Sequence, residues 1–589
     1  MYRVRQNIPA GNLICFVIAL LLYSCSPKRS TSSAIRIRWA HDPETLDPMR
    51  LATQAAIDVN NLLNTSLLQA DLATHQVVPA LAEAAPTVRL LGDSLMRLDY
   101  TIRPEATWDN GRPVAATDIA FTLKLMFCPG LPNEMARNQY GFIRAVLPDP
   151  TNPRRFSLIC QGQAPEYIKA SGDFFILPEA ALDPRGQLRR FSLAELQRRQ
   201  ATAPPDSTLQ ALARRYAAAD PGHHPTQVPG CGPYQLVRWE KDQYLSLRRK
   251  PHWWADRLRS RPFVLQARPQ ELQYVIIPEA TTASLALQRG NLDVFPQMPA
   301  REFARLKASP AARSVLKFYS TTSYDVAVAG FNTRRPALAD ALTRQALAHC
   351  FDAAGLLGSA ALGSGQRTVG LINPTDRLNY NDSLRPLPFD PLAAMGLLRR
   401  AGWRQGASAG AGWTWQGPNG QQQQLRLVVR YRADEQLFAT TALQFQAAAA
   451  GIGIPVRLVP TESGAFTTAL RAGEFDVFVR MLRGNPFMFN FIPLLHSLGV
   501  GVSNTSGFST PASDGLIEAI AAARTEQQRA QLLRRFQAVM QHEMPLVPLF
   551  FVSNRIAAAR QLSGLHPSSL KPGFAAAAIE RLSAPIPSP

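Results

Sequence analysis

Trp108-Asp109-Asn110-Gly111-Arg112-Pro113-Val114, running on through Ala116-Thr117-Asp118-Ile119, reads as a tight turn that delivers the chain into a helix. Asp109-Asn110-Gly111 has hairpin-turn composition, because Asn-Gly tolerates the positive φ that such turns need. Thr117-Asp118 is a helix-start signal. Ile119, Phe121, Leu123, Met126 and Phe127 supply the apolar positions that follow. Just upstream, Tyr100-Thr101-Ile102-Arg103 closes a region of short strands that begins near Val77.

The same alternation of strand and helix extends outward. Ile35-Arg36-Ile37-Arg38-Trp39 alternates apolar and charged residues, as a half-buried strand does, and His41-Asp42-Pro43 turns the chain. Ala55 to Leu68 has helical periodicity, and Ser192 to Ala219 is helical around Pro204-Pro205. Tyr234 to Arg248 reads as a hairpin, Leu272 to Ile277 as a buried strand, Thr281 to Arg289 as a helix and Val326 to Phe331 as a strand. Asp340 and Asp390-Pro391 are helix starts. Trp403 to Gln424, rich in Gly and Gln, reads as an exposed loop or hairpin, and strands follow at Leu425–Val429 and Pro455–Val459. Alternation of this kind throughout places the chain in the α/β class.

At the N-terminus, Arg3 and Arg5 precede an apolar run from Leu13 to Leu22. This is too short to span a bilayer, which needs about 20 residues, and reads as a secretory signal, residues 1–24. Leu22-Tyr23-Ser24-Cys25 resembles the lipobox of bacterial lipoproteins, which implies acylation of Cys25, a polar tether over residues 25–33 and export to the periplasm or cell exterior. An ordinary signal peptide with an incidental cysteine is the alternative. Of the other cysteines, Cys128 and Cys160 form the one pairing to consider, and four buried free thiols the other reading; no CxxC occurs. The net charge of +20 is dispersed, without the basic, aromatic-interleaved runs of nucleic-acid binders. It suits anionic membrane surfaces, or simply an Arg-rich proteome. No HExxH, Gly-x-Ser-x-Gly or phosphate loop stands among the residues, so no enzyme, metal site or cofactor is expected.

Further landmarks follow one another along the chain: Thr45-Leu46-Asp47-Pro48, Pro79-Ala80-Leu81-Ala82-Glu83, Gly230-Cys231-Gly232-Pro233-Tyr234, Pro251-His252-Trp253-Trp254, Leu287 to Asp293, Phe331-Asn332, Leu397 to Trp403, Gly473-Glu474-Phe475-Asp476 and Glu543 to Leu549. In this order, with Trp108 to Ile119, they resemble the family-five bacterial extracellular solute-binding proteins, the oligopeptide, dipeptide and nickel class that serves ABC importers. The resemblance runs from about Trp39 to Phe551.

It implies a type II periplasmic-binding-protein clamp of two hinged lobes with an extra inserted subdomain. Lobe I would comprise residues 34–60, 175–275 and 545–589; the inserted subdomain 61–174; and lobe II 276–544, with crossing strands near Leu272–Ile277 and Leu546–Phe551. It further implies a monomer that captures a small molecule or peptide and passes it to a transporter permease. Relatives that bind peptides carry an acidic residue soon after the segment matching Phe475-Asp476. Here Arg480 and Arg483 stand there, and no Asp or Glu follows Asp476 until Asp514. Two like charges about 4 Å apart at an effective dielectric of ~20 repel by about 4 kcal/mol, which disfavours a ligand ammonium at that place and suits a carboxylate. The expected ligand-facing residues are His41, Asn332, Arg480, Arg483 and Asn485. A metal chelate, an anionic metabolite or a sensor role with the same fold are the alternatives.

Overall fold

The computed structural model describes residues 34–50, 53–199, 206–406, 412–416, 422–501 and 503–582. Among these, eleven strands form one mixed sheet. They are β1 (Ile35–Trp39), β2 (Tyr234–Glu240), β3 (Tyr244–Arg249), β4 (Glu271–Ile276), β5 (Val294–Phe295), β6 (Leu316–Phe331), β7 (Gly365–Arg367), β8 (Leu427–Arg432), β9 (Val456–Thr461), β10 (Val477–Arg483) and β11 (Leu546–Ala559). Neighbours run β9-β8-β10-β6-β11-β5-β1-β4-β3-β2, with β7 beside β11.

β6 and β11 explain how one sheet serves two lobes. Leu316–Thr322 pairs with Ser553–Ala559, and Val326–Gly330 pairs with Leu546–Phe551. Between these halves the register shifts at Thr322/Val326, so that Ser323, Tyr324 and Asp325 face a single residue, Val552. A bulge bends the strand and leaves residues unpaired with the ladder. Here Ser323 Oγ donates to Val552 O at 2.8 Å, and Asn373 Nδ2 to Ser323 O at 2.9 Å.

On one side of the bulge, the sheet of lobe II is buried on both faces. Along β10, Val477 and Val479 join the cluster that includes Phe445 and Trp413, while Phe478 and Leu482 join the cluster of Phe491 and Phe536. The two-residue period of a strand sends alternate side chains to opposite faces. The first face is covered by the helix Gln436–Gly451 and the second by Ser463–Ala472 and Glu526–Glu543.

Four expectations are corrected. The crossing strands are β6 and β11. β4 is the strand expected there, but only its alternate residues Leu272 and Tyr274 are buried, and it lies inside lobe I between β1 and β3. Lobe II therefore does not begin at residue 276: β5 pairs with β1 and β11, and the helices at Ala280–Gln288 and Ala300–Ala308 bury Leu287, Phe303 and Leu306 against Phe295 and Ala557. Helix Ala116–Leu125 starts earlier than Thr117-Asp118 suggested, with Asp118 reaching back to Ala115 N at 2.9 Å. Trp403–Gln424 is not simply exposed, because Trp413 is wholly buried and its Nε1 donates to Ile452 O at 2.7 Å.

Within residues 61–174 a separate antiparallel sheet runs Thr87–Leu91, Leu95–Thr101, Arg155–Gln161, Ile143–Pro148. Its core is continuous with that of lobe I. The landmark residues are structural joints here. Asp118 accepts from Trp108 Nε1 and Glu179 N, and Trp253 and Trp254 both donate to Cys231 O, at 2.9 and 2.7 Å. Cys128, Cys160, Cys231 and Cys350 are buried free thiols, so the Cys128–Cys160 pairing is not made. Burial pushes the Cys128 and Cys160 thiols up to about 12. Residues 1–33, with the signal, tether and Cys25, lie outside the described residues.

Candidate functional site

The turn after β1 is fixed by Asp42, which accepts from Trp239 Nε1 at 3.0 Å and from Asp242 N at 2.9 Å. This leaves the neighbouring His41 exposed toward lobe II, close enough to Asp434 and Glu435 to pull both carboxyls down. Those two acids sit where β8 ends and the helix Gln436–Gly451 begins. Asp434 is held low chiefly by its hydrogen bond from Arg432. Glu435 keeps an accessible face, yet protein crowds its carboxyl and burial pushes it up.

The ends of β10 and β6 supply the rest of the facing wall. Gly484 N donates to Tyr324 O at 3.0 Å, tying the exit of β10 to the hinge bulge, and a Cβ on Gly484 would lie 2.3 Å from that oxygen. Across from it, Lys571 Nζ pairs with Asp325 Oδ2 at 2.5 Å. Lys571 comes from the C-terminal segment that packs on lobe I. Farther out, Arg529 of helix Glu526–Glu543 makes a buried ion pair with Glu166 of the inserted subdomain, and Arg524 lies 3.7 Å from Asp93. Lobe II and the subdomain are thus in contact across the mouth of the cleft.

Behind Lys571, lobe I and the subdomain enclose a cavity of about 390 Å³, with Asp58, Asp173, Tyr274, Phe174, Phe263 and Phe574 in its walls. Asp58, on the helix Gln54–Leu63, is 9% exposed, and its one hydrogen bond comes from Gln54 Nε2 at 2.8 Å. Burial pushes its carboxyl up to about 7, against that bond and the pull of Lys571 and Arg483. Asp173 is exposed where it lines this cavity, and desolvation raises its carboxyl to about 6.

The expected site residues divide. His41, Arg483 and Asn485 are exposed at the strand ends that face between the lobes, Asn485 Oδ1 accepting from Phe487 N at 2.9 Å. Arg480 is drawn inside lobe II, its guanidinium 5.5 Å from the Phe478 ring centroid; its Nε has no hydrogen-bond partner among the described residues, and burial pushes it down. Asn332 is 2% exposed and its polar atoms are engaged: Nδ2 donates to Gly473 O and Phe475 O, and Oδ1 accepts from Arg334 N. It lies at the far end of β6, seven residues from Asp325 and so roughly 20 Å from the hinge at ~3.3 Å per residue. Asn332 is a joint of lobe II and not a wall of the cleft.

Sequence reasoning missed Asp58, Asp173, Asp325, Glu435 and Lys571, which stand outside the landmark motifs. An acid in the apolar periodicity of residues 54–63 was the one local signal, at Asp58. The His223-His224 pair is exposed, His223 Nδ1 lying 2.9 Å from Asp220.

A family model described as bacterial extracellular solute-binding proteins, family 5 Middle, matches residues 76–498. The chain belongs to this family. Among relatives of this family 5 chain, heme-binding protein A of Haemophilus influenzae is 25% identical over 322 residues, 54% of this chain and 54% of that protein. Di/tripeptide-binding protein 2 of Pseudomonas aeruginosa is 25% identical over 523 residues, 86% and 87% of the two chains. The chain spans 54% to 62% of the length of the first curated relatives it matches. The fold is that of type II periplasmic binding proteins. The oligopeptide-binding protein AppA from Bacillus subtilis, solved with a nonapeptide, superposes with a TM-score of 0.71 at 17% identity, covering 93% of this chain and 99% of that one.

Proposed function

We propose that this chain is a binding protein that captures a small solute, a peptide before other classes, between its two lobes and delivers it to an ABC importer. The carrying observation is the paired ribbon of β6 and β11, continuous through both lobes and bulged at Ser323–Asp325 beside a solute-sized cavity. A bulge lets such a ribbon bend without losing its flanking ladders. A ligand that touches both walls then stabilises closure, because only the closed state offers both contacts. Relatives whose names say they bind dipeptides, di- and tripeptides, nickel or heme make the solute the variable feature of the family. Export as a monomer, with a lipid on Cys25 holding it near a permease, completes this reading. This reading assigns the chain capture and delivery and no catalytic step.

The test is a pool of di- to pentapeptides added to the purified protein, read by calorimetry and by small-angle scattering. Binding with a fall in radius of gyration supports the reading; heat of binding absent for every pool, with unchanged scattering, rejects the peptide class.

A further inference from the structure

The cavity, whose wall includes Lys571, carries two carboxylates, Asp58 and Asp173, that are in no ion pair among the described residues. Asp173's carboxylate has no hydrogen bond there, and Asp58's has one, to the neutral amide of Gln54. Tyr274 gives an independent observation. It is 3% exposed, stacked on Trp39 with centroids 4.0 Å apart, and lines the same cavity, yet its hydroxyl has no hydrogen-bond partner among the described residues. A hydroxyl on a buried ring and two carboxylates, all three open to one cavity and none in an ion pair, suit a guest that donates hydrogen bonds. The wall is mixed: Gln69, Gln139 and Gln266 stand in it beside Phe174, Phe263 and Phe574, and the three rings suit an apolar body attached to a charged head.

The nearest cations do not fill this role. Lys571 is engaged with Asp325 at 2.5 Å, and Arg483 is exposed on lobe II. We infer that the cavity between lobe I and the inserted subdomain is an ammonium-binding subsite: Asp58, Asp173 and the Tyr274 hydroxyl receive the amine group of the ligand while the aromatic wall takes an adjoining apolar group. This rests on the solute-binding reading above and deepens it. It also accounts for Arg483, since a ligand whose ammonium is held in lobe I leaves any carboxylate free to face that exposed arginine of lobe II.

The probes are 2-phenylethylamine and 2-phenylethanol, alike in size and ring and different in charge, titrated into the full chain by ligand-observed NMR. The amine is expected to bind at least about tenfold more tightly than the alcohol, as a charge-assisted contact should. Asp58→Asn and Asp173→Asn should each remove most of that difference while leaving alcohol binding close to wild type and the chain folded. Amine affinity should rise from about pH 5.5 to 8 as Asp58, which faces Lys571, Arg483 and Tyr274, and Asp173, which faces Tyr140, lose their protons. Equal affinity for the two probes, no amine binding, or amine binding indifferent to both substitutions overturns the subsite. Peptide binding without amine binding overturns it and leaves the clamp reading standing. Selective amine binding with no peptide binding upholds the subsite and removes the peptide reading.

Discussion

Lys571 Nζ lies 2.5 Å from Asp325 Oδ2, joining the C-terminal segment on lobe I to the bulge on which the two lobes meet. Both side chains are largely buried, with 23% and 14% exposure. Replacing Lys571 with Met should leave Asp325 without its partner and destabilise the chain by roughly 1–3 kcal/mol, the range for a hydrogen bond to a charged group. Chemical denaturation reads the loss. The Asp325→Asn, Lys571→Met double variant should lose less than the sum of the two single changes, and strict additivity would show that the pair is not coupled.

The hinge also depends on Gly484, whose missing Cβ admits Tyr324 O. Gly484→Ala should push β10 away from the bulge and lower the melting temperature. Gly396, inside the helix Pro391–Arg400 with nothing within 4 Å of a built Cβ, is the contrasting site. There, alanine should stabilise by up to about 1 kcal/mol, because it is the better helix former. Equal melting temperatures for the two variants would show that the close approach at Gly484 is not tight.

Arg529 and Glu166 form a buried pair between helix Glu526–Glu543 and the inserted subdomain. Removing one partner of such a pair leaves a lone buried charge and costs about 3 kcal/mol or more. Glu166→Gln should therefore favour an opened molecule, seen as a larger radius of gyration without ligand. The Glu166→Gln, Arg529→Met double variant should recover part of the stability. A scattering profile identical to wild type in both would remove the pair from the closure mechanism.

Asp58 makes stability depend on pH. Its folded pKa of about 7 stands above the ordinary 3.8 of an unfolded aspartate, so between these values the folded chain holds more protons than the unfolded one. Its contribution to stability is present in full below about pH 3.8 and is lost as pH rises toward 7. The displacement from 3.8 to about 7 corresponds to an order of 4 kcal/mol. Asp58→Asn should be near neutral at pH 4 and stabilising at pH 8 in urea denaturation. A wild-type-minus-variant difference that is flat with pH would contradict the raised value.

Much of this architecture was legible in the residues, because strand and helix periodicities depend on local burial. Ile35–Trp39, Tyr234 to Arg248, Asp340 and Asp390-Pro391 lie where the sequence placed strands or helix starts. β6 was read only from Val326 because its first half, Lys317-Phe318-Tyr319-Ser320-Thr321-Thr322, is polar and half-exposed, so no apolar alternation marks it. The site was less legible. His41 and Arg483 lie at loop ends that sequence order can locate. Asp58, Lys571 and Asp325 meet from segments hundreds of residues apart, and only the pairing of β6 with β11 brings them together. Asn332 was misread because a landmark asparagine inside a fold joint looks, in sequence, like one facing a ligand.

The most direct test of the central claim is native mass spectrometry of the full chain purified without refolding. The clamp account predicts a non-covalently bound solute that fragments as a peptide and is displaced on mild unfolding. Protein that carries no solute and takes up none from di- to pentapeptide pools, while remaining folded, would contradict it.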